Sequence, residues 1–166
     1  MTVMNVDQDR DALTLTLTAE YDAPVARVWQ VWADPRQLER WWGPPTYPAT
    51  FVEHDLTPGG TVTYFMTGPD GDQPHGYWRV VAVDAPGRLE VQDGFAHDDG
   101  TPNDDLPITT MRVTLEERTG GGTRMTIQSV FPSLEAMDRM AAMGMVEGIT
   151  EAVNQIDALL ANAGAR

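Results

Sequence analysis

Leu13-Thr14-Leu15-Thr16-Leu17-Thr18-Ala19-Glu20-Tyr21-Asp22-Ala23-Pro24-Val25-Ala26-Arg27-Val28-Trp29 changes its hydrophobic period partway along. Up to Tyr21, apolar and polar residues alternate, the pattern of a strand that buries Leu13, Leu15, Leu17, Ala19 and Tyr21 on one face. Asp22 then reads as an N-cap and Pro24 falls in a first helical turn. Val25, Val28, Trp29 and Trp32 recur at helical spacing, which predicts a helix over about 24–33. Asp34-Pro35 repeats the cap-plus-proline signal, so a second short helix should run through Leu38 to Trp42 and stop at Gly43-Pro44-Pro45.

Downstream, turn residues separate predicted strands near 49–56, 61–67, 75–83, 88–95, 109–117 and 123–131. Gly68-Pro69-Asp70-Gly71-Asp72 and Gly120-Gly121-Gly122 are the plainest hairpin loops. Met111, Val113 and Leu115 share one face, as do Met125 and Ile127 on the next strand. Val80-Val81 breaks the alternation of 75–83 and leaves its register open. Ser133 can cap one long helix reaching about Ala161, with Met137, Met140, Met145, Ile149, Val153 and Ile156 along one side. Gly144 and Gly148 interrupt it, as kinks or as points of close backbone approach.

Strands that run consecutively rather than alternating with helices define an α+β chain with an antiparallel sheet of about seven strands. A helix of about 28 residues is about 40 Å long. It cannot fill the concavity of a strongly curved sheet, so an apolar cavity should lie between them.

The chain has 166 residues, 42% of them hydrophobic, which suits one domain over 1–166 with its core at about 13–160. Its formal net charge of -14, from 11 arginines and no lysine against 25 acidic residues, repels phosphate backbones and anionic lipid. Nucleic acid and membrane are therefore not expected as partners. With no cysteine, thiolate nucleophiles, thiolate metal sites and disulfides are absent. Asp7, Asp9 and Asp11 fall where a signal peptide would be basic and then apolar, and a cytoplasmic location is the expectation.

Nine methionines are many for this length, and Met111, Met125 and Met145 fall on the elements that should enclose the cavity. They suit a pliable pocket wall, although methionine is also ordinary core material. Trp41 and Trp42 close a helix end, where at least one should anchor the short helices to the sheet edge, and Trp42 is either such packing or part of the pocket. Tyr64, Met66, Trp78 and Phe95 lie on strands whose apolar face looks toward the helix. Asp93 shares a face with Leu89, Val91 and Phe95, so it either orients a ligand, acts as a base with a raised pKa, or bonds to backbone or water at a strand end. His54, His75 and His97 have no metal spacing, and Asp98 to Asp105 departs from a calcium loop. No metal or other cofactor is expected. Ser129 and Ser133 lack a nucleophile elbow, and no residue is assigned a catalytic role.

Several short segments together resemble one superfamily. Ala23-Pro24-Val25-Ala26-Arg27-Val28-Trp29, Trp41-Trp42-Gly43-Pro44, Pro58-Gly59-Gly60, Asp84-Ala85-Pro86-Gly87-Arg88-Leu89, Gly122-Thr123-Arg124-Met125-Thr126 and Met143-Gly144-Met145-Val146-Glu147-Gly148 resemble the START-like, or SRPBCC, helix-grip superfamily. Within it, they are similar to the branch homologous to the activator of the heat-shock protein 90 ATPase. The resemblance covers about Leu13 to Leu160. It implies a helix-grip fold, with a long C-terminal helix packed across the sheet over a cavity. Many such relatives carry tryptophan where this chain has Ile149. Similar proteins include ligand carriers and cyclase-like enzymes, so the fold is implied more firmly than an activity.

The expected function is binding a small hydrophobic molecule at Trp42, Tyr64, Met66, Trp78, Asp93, Phe95, Met111, Met125, Met145 and Ile149. One alternative is a cyclase- or hydrolase-like enzyme, which would need His54, His75, Asp93 or Tyr64 to converge. Another is a co-chaperone acting through its outer surface; it ranks last, because the second N-terminal domain of the eukaryotic activator is not expected here. A homodimer is left open.

Overall fold

The computed structural model describes residues 3–164. Its elements are β1 (Val3–Asp9), β2 (Thr14–Tyr21), α1 (Val25–Ala33), α2 (Pro35–Leu38), β3 (Ala49–His54), β4 (Thr61–Met66), β5 (His75–Asp84), β6 (Arg88–Ala96), β7 (Thr109–Glu117), β8 (Thr123–Val130), α3 (Leu134–Ala142), α4 (Met145–Val153) and α5 (Ile156–Gly164). The strands form one antiparallel sheet in the order β1-β2-β8-β7-β6-β5-β4-β3. The α+β class and the antiparallel sheet agree with expectation.

The sheet has eight strands rather than about seven, because β1 adds an edge. Its residues carry no alternating apolar signal, and from Asn5 to Asp9 all but Val6 are exposed. A local hydrogen-bonded turn brings β1 back onto β2: Asp9 Oδ1 accepts from the backbone N–H groups of Asp11 and Ala12. β2 buries alternate residues from Leu15 to Tyr21. Leu13 belongs to the turn, at φ 61. Asp22 does not cap α1, whose N-cap is Pro24 with no side-chain bond. Asp34 does cap α2, accepting from the Arg36 backbone N–H.

β5 settles its register with a bulge. The pairing shifts between Val80 and Ala82, so Val81 is the extra residue and points outward. Gly76, Trp78 and Val80 then share the inner face. Across the sheet, Val62, Trp78, Asp93 and Thr109 stand side by side. On either side of that row run Phe51, Tyr64, Gly76 and Phe95, and Val80, Val91, Met111 and Ser129.

The C-terminal segment is helical but not one helix. Ser133 caps α3 as expected, with Oγ accepting from the Ala136 N–H at 3.0 Å. Gly144, at φ 86, ends that run and starts α4. A second break at Asn154 and Gln155 separates α5. There the Gln155 amide donates to the carbonyls of Trp41 (3.2 Å) and Gly43 (2.7 Å), tying the helices to the turn after α2.

α4 and α5 bury Ala152, Val153, Ile156 and Leu159 in the main core. α3 and the start of α4 cover a separate group around Leu15, Phe131 and Met137. Between these two anchor points the helices bridge the sheet. No helix among the described residues is long and apolar enough to cross a membrane.

Candidate functional site

The end of the sheet bearing β4, β5 and β6 is packed by tryptophans. Trp32 and Trp41 meet edge to face at 4.7 Å, and Trp42 and Trp78 at 4.9 Å. Trp41 donates its indole N–H to the Val31 carbonyl at 2.8 Å. This cluster holds the turn after α2 rigidly over the inner face. It places Trp42 edge-on to Tyr64, with ring centres 6.1 Å apart.

Tyr64 reaches across the sheet because β5 offers no side chain opposite it. A Cβ on Gly76 would lie 2.5 Å from the Tyr64 ring and hydroxyl. The hydroxyl therefore crosses Gly76 and donates to Asp93 Oδ1 at 3.1 Å. The indole N–H of Trp42 is directed at the same hydroxyl, but has no hydrogen bond of ordinary geometry.

Above this pair lies a cavity of about 280 Å³. Its floor is Asp93, Phe95, Thr109, Met111 and Ser129 of the sheet. Its roof is formed by Met140, Met143, Met145, Gly148 and Ile149, and Trp42, Pro44, Tyr47, Tyr64 and Met66 close one side. Asp93 is the only acidic or basic side chain among the lining residues.

Burial raises the Asp93 carboxyl to about 7, and the hydrogen bond from Tyr64 offsets this only in part. Tyr64 is pushed well above its usual range, first by burial and then by the charge of Asp93. It thus stays a neutral donor. Thr109, directly opposite Asp93 on β7, is 3% exposed, and its Oγ1 has no partner.

Of the ten candidates, Trp42, Tyr64, Met66, Asp93 and Phe95 line the cavity, as do Met111, Met145 and Ile149. Trp78 and Met125 do not. Both are fully buried in the main core, Trp78 behind Trp42 and Met125 farther along β8. The facing pattern placed them on the correct side of the sheet, but packing seals them off. Thr109 and Ser129 were missed although both occupy inner positions in strands with legible alternation; two residues before Met111 and two after Ile127 would have found them. Tyr47 and Pro44 carry no such signal, since they reach the cavity from a loop.

The histidines stay apart from this pair. His54 Nε2 lies 3.2 Å from the Trp32 carbonyl, and His75 Nδ1 lies 2.8 Å from the Gln73 carbonyl. His97 is exposed. Of the four groups an acid–base site needed, only Tyr64 and Asp93 meet. Gly148 also differs from expectation: a Cβ there would touch nothing within 4 Å, so it leaves open space rather than a close backbone contact. Among the described residues, no three His, Asp or Glu side chains group as a metal site would require.

A curved antiparallel sheet with a helical segment laid across it over a cavity defines a START-like, helix-grip protein. The family model described as "Activator of Hsp90 ATPase homolog 1-like protein" matches residues 22–161, and the chain belongs to that family. It is similar to the crystal structure of protein Ms6760 from Mycobacterium smegmatis, with 56% identity over 95% of this chain and 96% of that one and a TM-score of 0.88. A solution structure of a protein from Arthrobacter aurescens is 53% identical over 97% of this chain and 93% of that one, with a TM-score of 0.92. Another, from Staphylococcus epidermidis, is 25% identical over 96% and 95%, with a TM-score of 0.83. No curated protein matches the chain.

Proposed function

We propose that this chain binds a small hydrophobic molecule in the cavity between the sheet and the α3–α4 segment. The observation that carries the reading is the cavity itself: about 280 Å³, walled mainly by methionine, isoleucine and aromatic side chains, with a single acidic side chain, Asp93, among its few polar groups. Methionines on both floor and roof let such a wall adjust to its contents. A fluorescent apolar probe should bind there with a negative heat-capacity change. Ile149→Trp, which puts a bulky indole ring in place of an aliphatic side chain in the roof, should weaken that binding about tenfold or more while leaving the protein folded. Failure of the wild-type protein to bind apolar probes would refute the reading. An unchanged affinity in a folded Ile149→Trp protein would move the binding elsewhere.

The Tyr64–Asp93 pair favours one second reading, acid–base catalysis in the same cavity. A carboxyl held at about 7 is poised to exchange a proton near neutral pH. Chemical conversion of a bound compound, lost in Asp93→Asn, would support that reading; recovery of every bound compound unchanged would count against it.

A further inference from the structure

The ionised Asp93–Tyr64 pair offers a ligand only acceptors, whereas the hydroxyls of Thr109 and Ser129 can donate as well as accept. Asp93 Oδ1 accepts from Tyr64, whereas Oδ2 has no protein donor among the described residues. Having spent its proton on Asp93, the Tyr64 oxygen can only accept further bonds. Thr109 Oγ1, next to Asp93 in the sheet, is buried without a partner. Eleven arginines are present in the chain, yet none lines the cavity. Once ionised, this partly buried carboxylate has no cation beside it, and its ordinary partner is a basic side chain.

The heads a ligand could carry divide on these grounds. A carboxylate would meet Asp93 with like charge inside a molecule whose net charge is already -14. A hydroxyl supplies one donor and leaves the Asp93 charge uncompensated. An ammonium group brings three donors, no acceptor and the missing positive charge. Accordingly, we propose that the ligand is an amine, an apolar skeleton whose protonated amino group pairs with Asp93 on the floor of the cavity. This rests on the binding reading above and specifies its ligand class.

Pairing with a cation draws the Asp93 proton off, so binding near pH 7 releases protons. Tyr64 from β4 and Tyr47 from the loop before β3 are the other titratable groups lining the cavity, and both are raised further above neutrality. Neither competes for this role.

The test uses three probes with one skeleton: phenylbutylamine, phenylbutanol and phenylbutyrate. At about pH 8 the amine should bind the wild-type protein about tenfold or more tighter than the alcohol, with the carboxylate weakest. Titration calorimetry near pH 7 in two buffers of different ionisation enthalpy should show proton release with the amine and none with the alcohol. Asp93→Asn should remove the preference and the proton release while the alcohol still binds. Because the ranking and the proton count are read on the wild-type protein, they stand even if the variant folds poorly. If the alcohol or the carboxylate binds as tightly as the amine, the head-group assignment is overturned and apolar binding survives. If none of the three binds, both readings are overturned.

Discussion

Asp93 shows how one residue's setting becomes a measurable property. Its ordinary value is 3.8 and the folded value is about 7, so the folded state holds the proton more tightly than the unfolded chain. Stability from this group is therefore complete below about pH 4 and is lost as pH rises through about 7. Above that, the fold carries an ionised carboxylate in a largely apolar cavity. Asp93→Asn keeps an acceptor for Tyr64 and removes the charge. It should raise the melting temperature most at about pH 8, less at about pH 5, and change it little at about pH 4. A melting temperature at pH 8 equal to or below that of the wild type would show that Asp93 is better solvated than its burial indicates.

At the scale of elements, the C-terminal segment carries two glycines with opposite roles. Gly144 sits at φ 86, where a side chain is strained even with open space around it. Gly148 lies within α4, and a Cβ there meets nothing. Gly144→Ala should destabilise by about 1 kcal/mol, whereas Gly148→Ala should stabilise by about 0.5–1 kcal/mol. Chemical denaturation of both variants decides this, and a loss of equal size at both positions would contradict the geometry.

The interruptions themselves were legible, as two glycines in an amphipathic run. Their difference was not, because handedness at a helix break depends on how α3 and α4 each meet the sheet. The bulge at Val81 follows the same logic. The sequence shows that alternation fails at Val80-Val81, and only pairing with β6 shows which residue is extra.

Over the whole molecule, acidic groups outnumber basic ones by more than two to one. Arg10–Asp138, Arg36–Glu39, Arg112–Glu90 and Arg124–Glu20 each have at least one well-exposed partner, and only Arg118–Glu20 is partly buried on both sides. Such exposed pairs contribute little each. Net repulsion should dominate, and moderate salt, which shortens the Debye length to about 10 Å at 0.1 M, should raise the melting temperature.

Acidification from about pH 7 to pH 5 should raise it too, with Asp93 adding to the relief of repulsion. Asp34, lowered first by its bond from Gln37, and Asp99, lowered first by Thr101, work in the opposite sense. Their stabilisation is present above 3.8 and fades only as pH falls through their lower folded values, outside that window. Melting temperatures that drop with both added salt and mild acid would show that specific pairing outweighs repulsion.

By itself, the sequence determined the succession of elements and the face of each strand, because hydrophobic period is a local property read within a few residues. Leu15 to Tyr21, Met111 and Ile127 point inward as their alternation demands, and Asp93 could be placed on the inner face by counting from Leu89. The tertiary structure decided what that face encloses. Trp78 and Met125 share it with Tyr64 and Met111, yet the first two are sealed by neighbours while the latter two border open space. The Tyr64–Asp93 bond required Gly76 to stand opposite Tyr64, a pairing of residues twelve apart in the chain. A cavity is the volume left when helices anchored at two distant points bridge a curved sheet, and no local period encodes that distance.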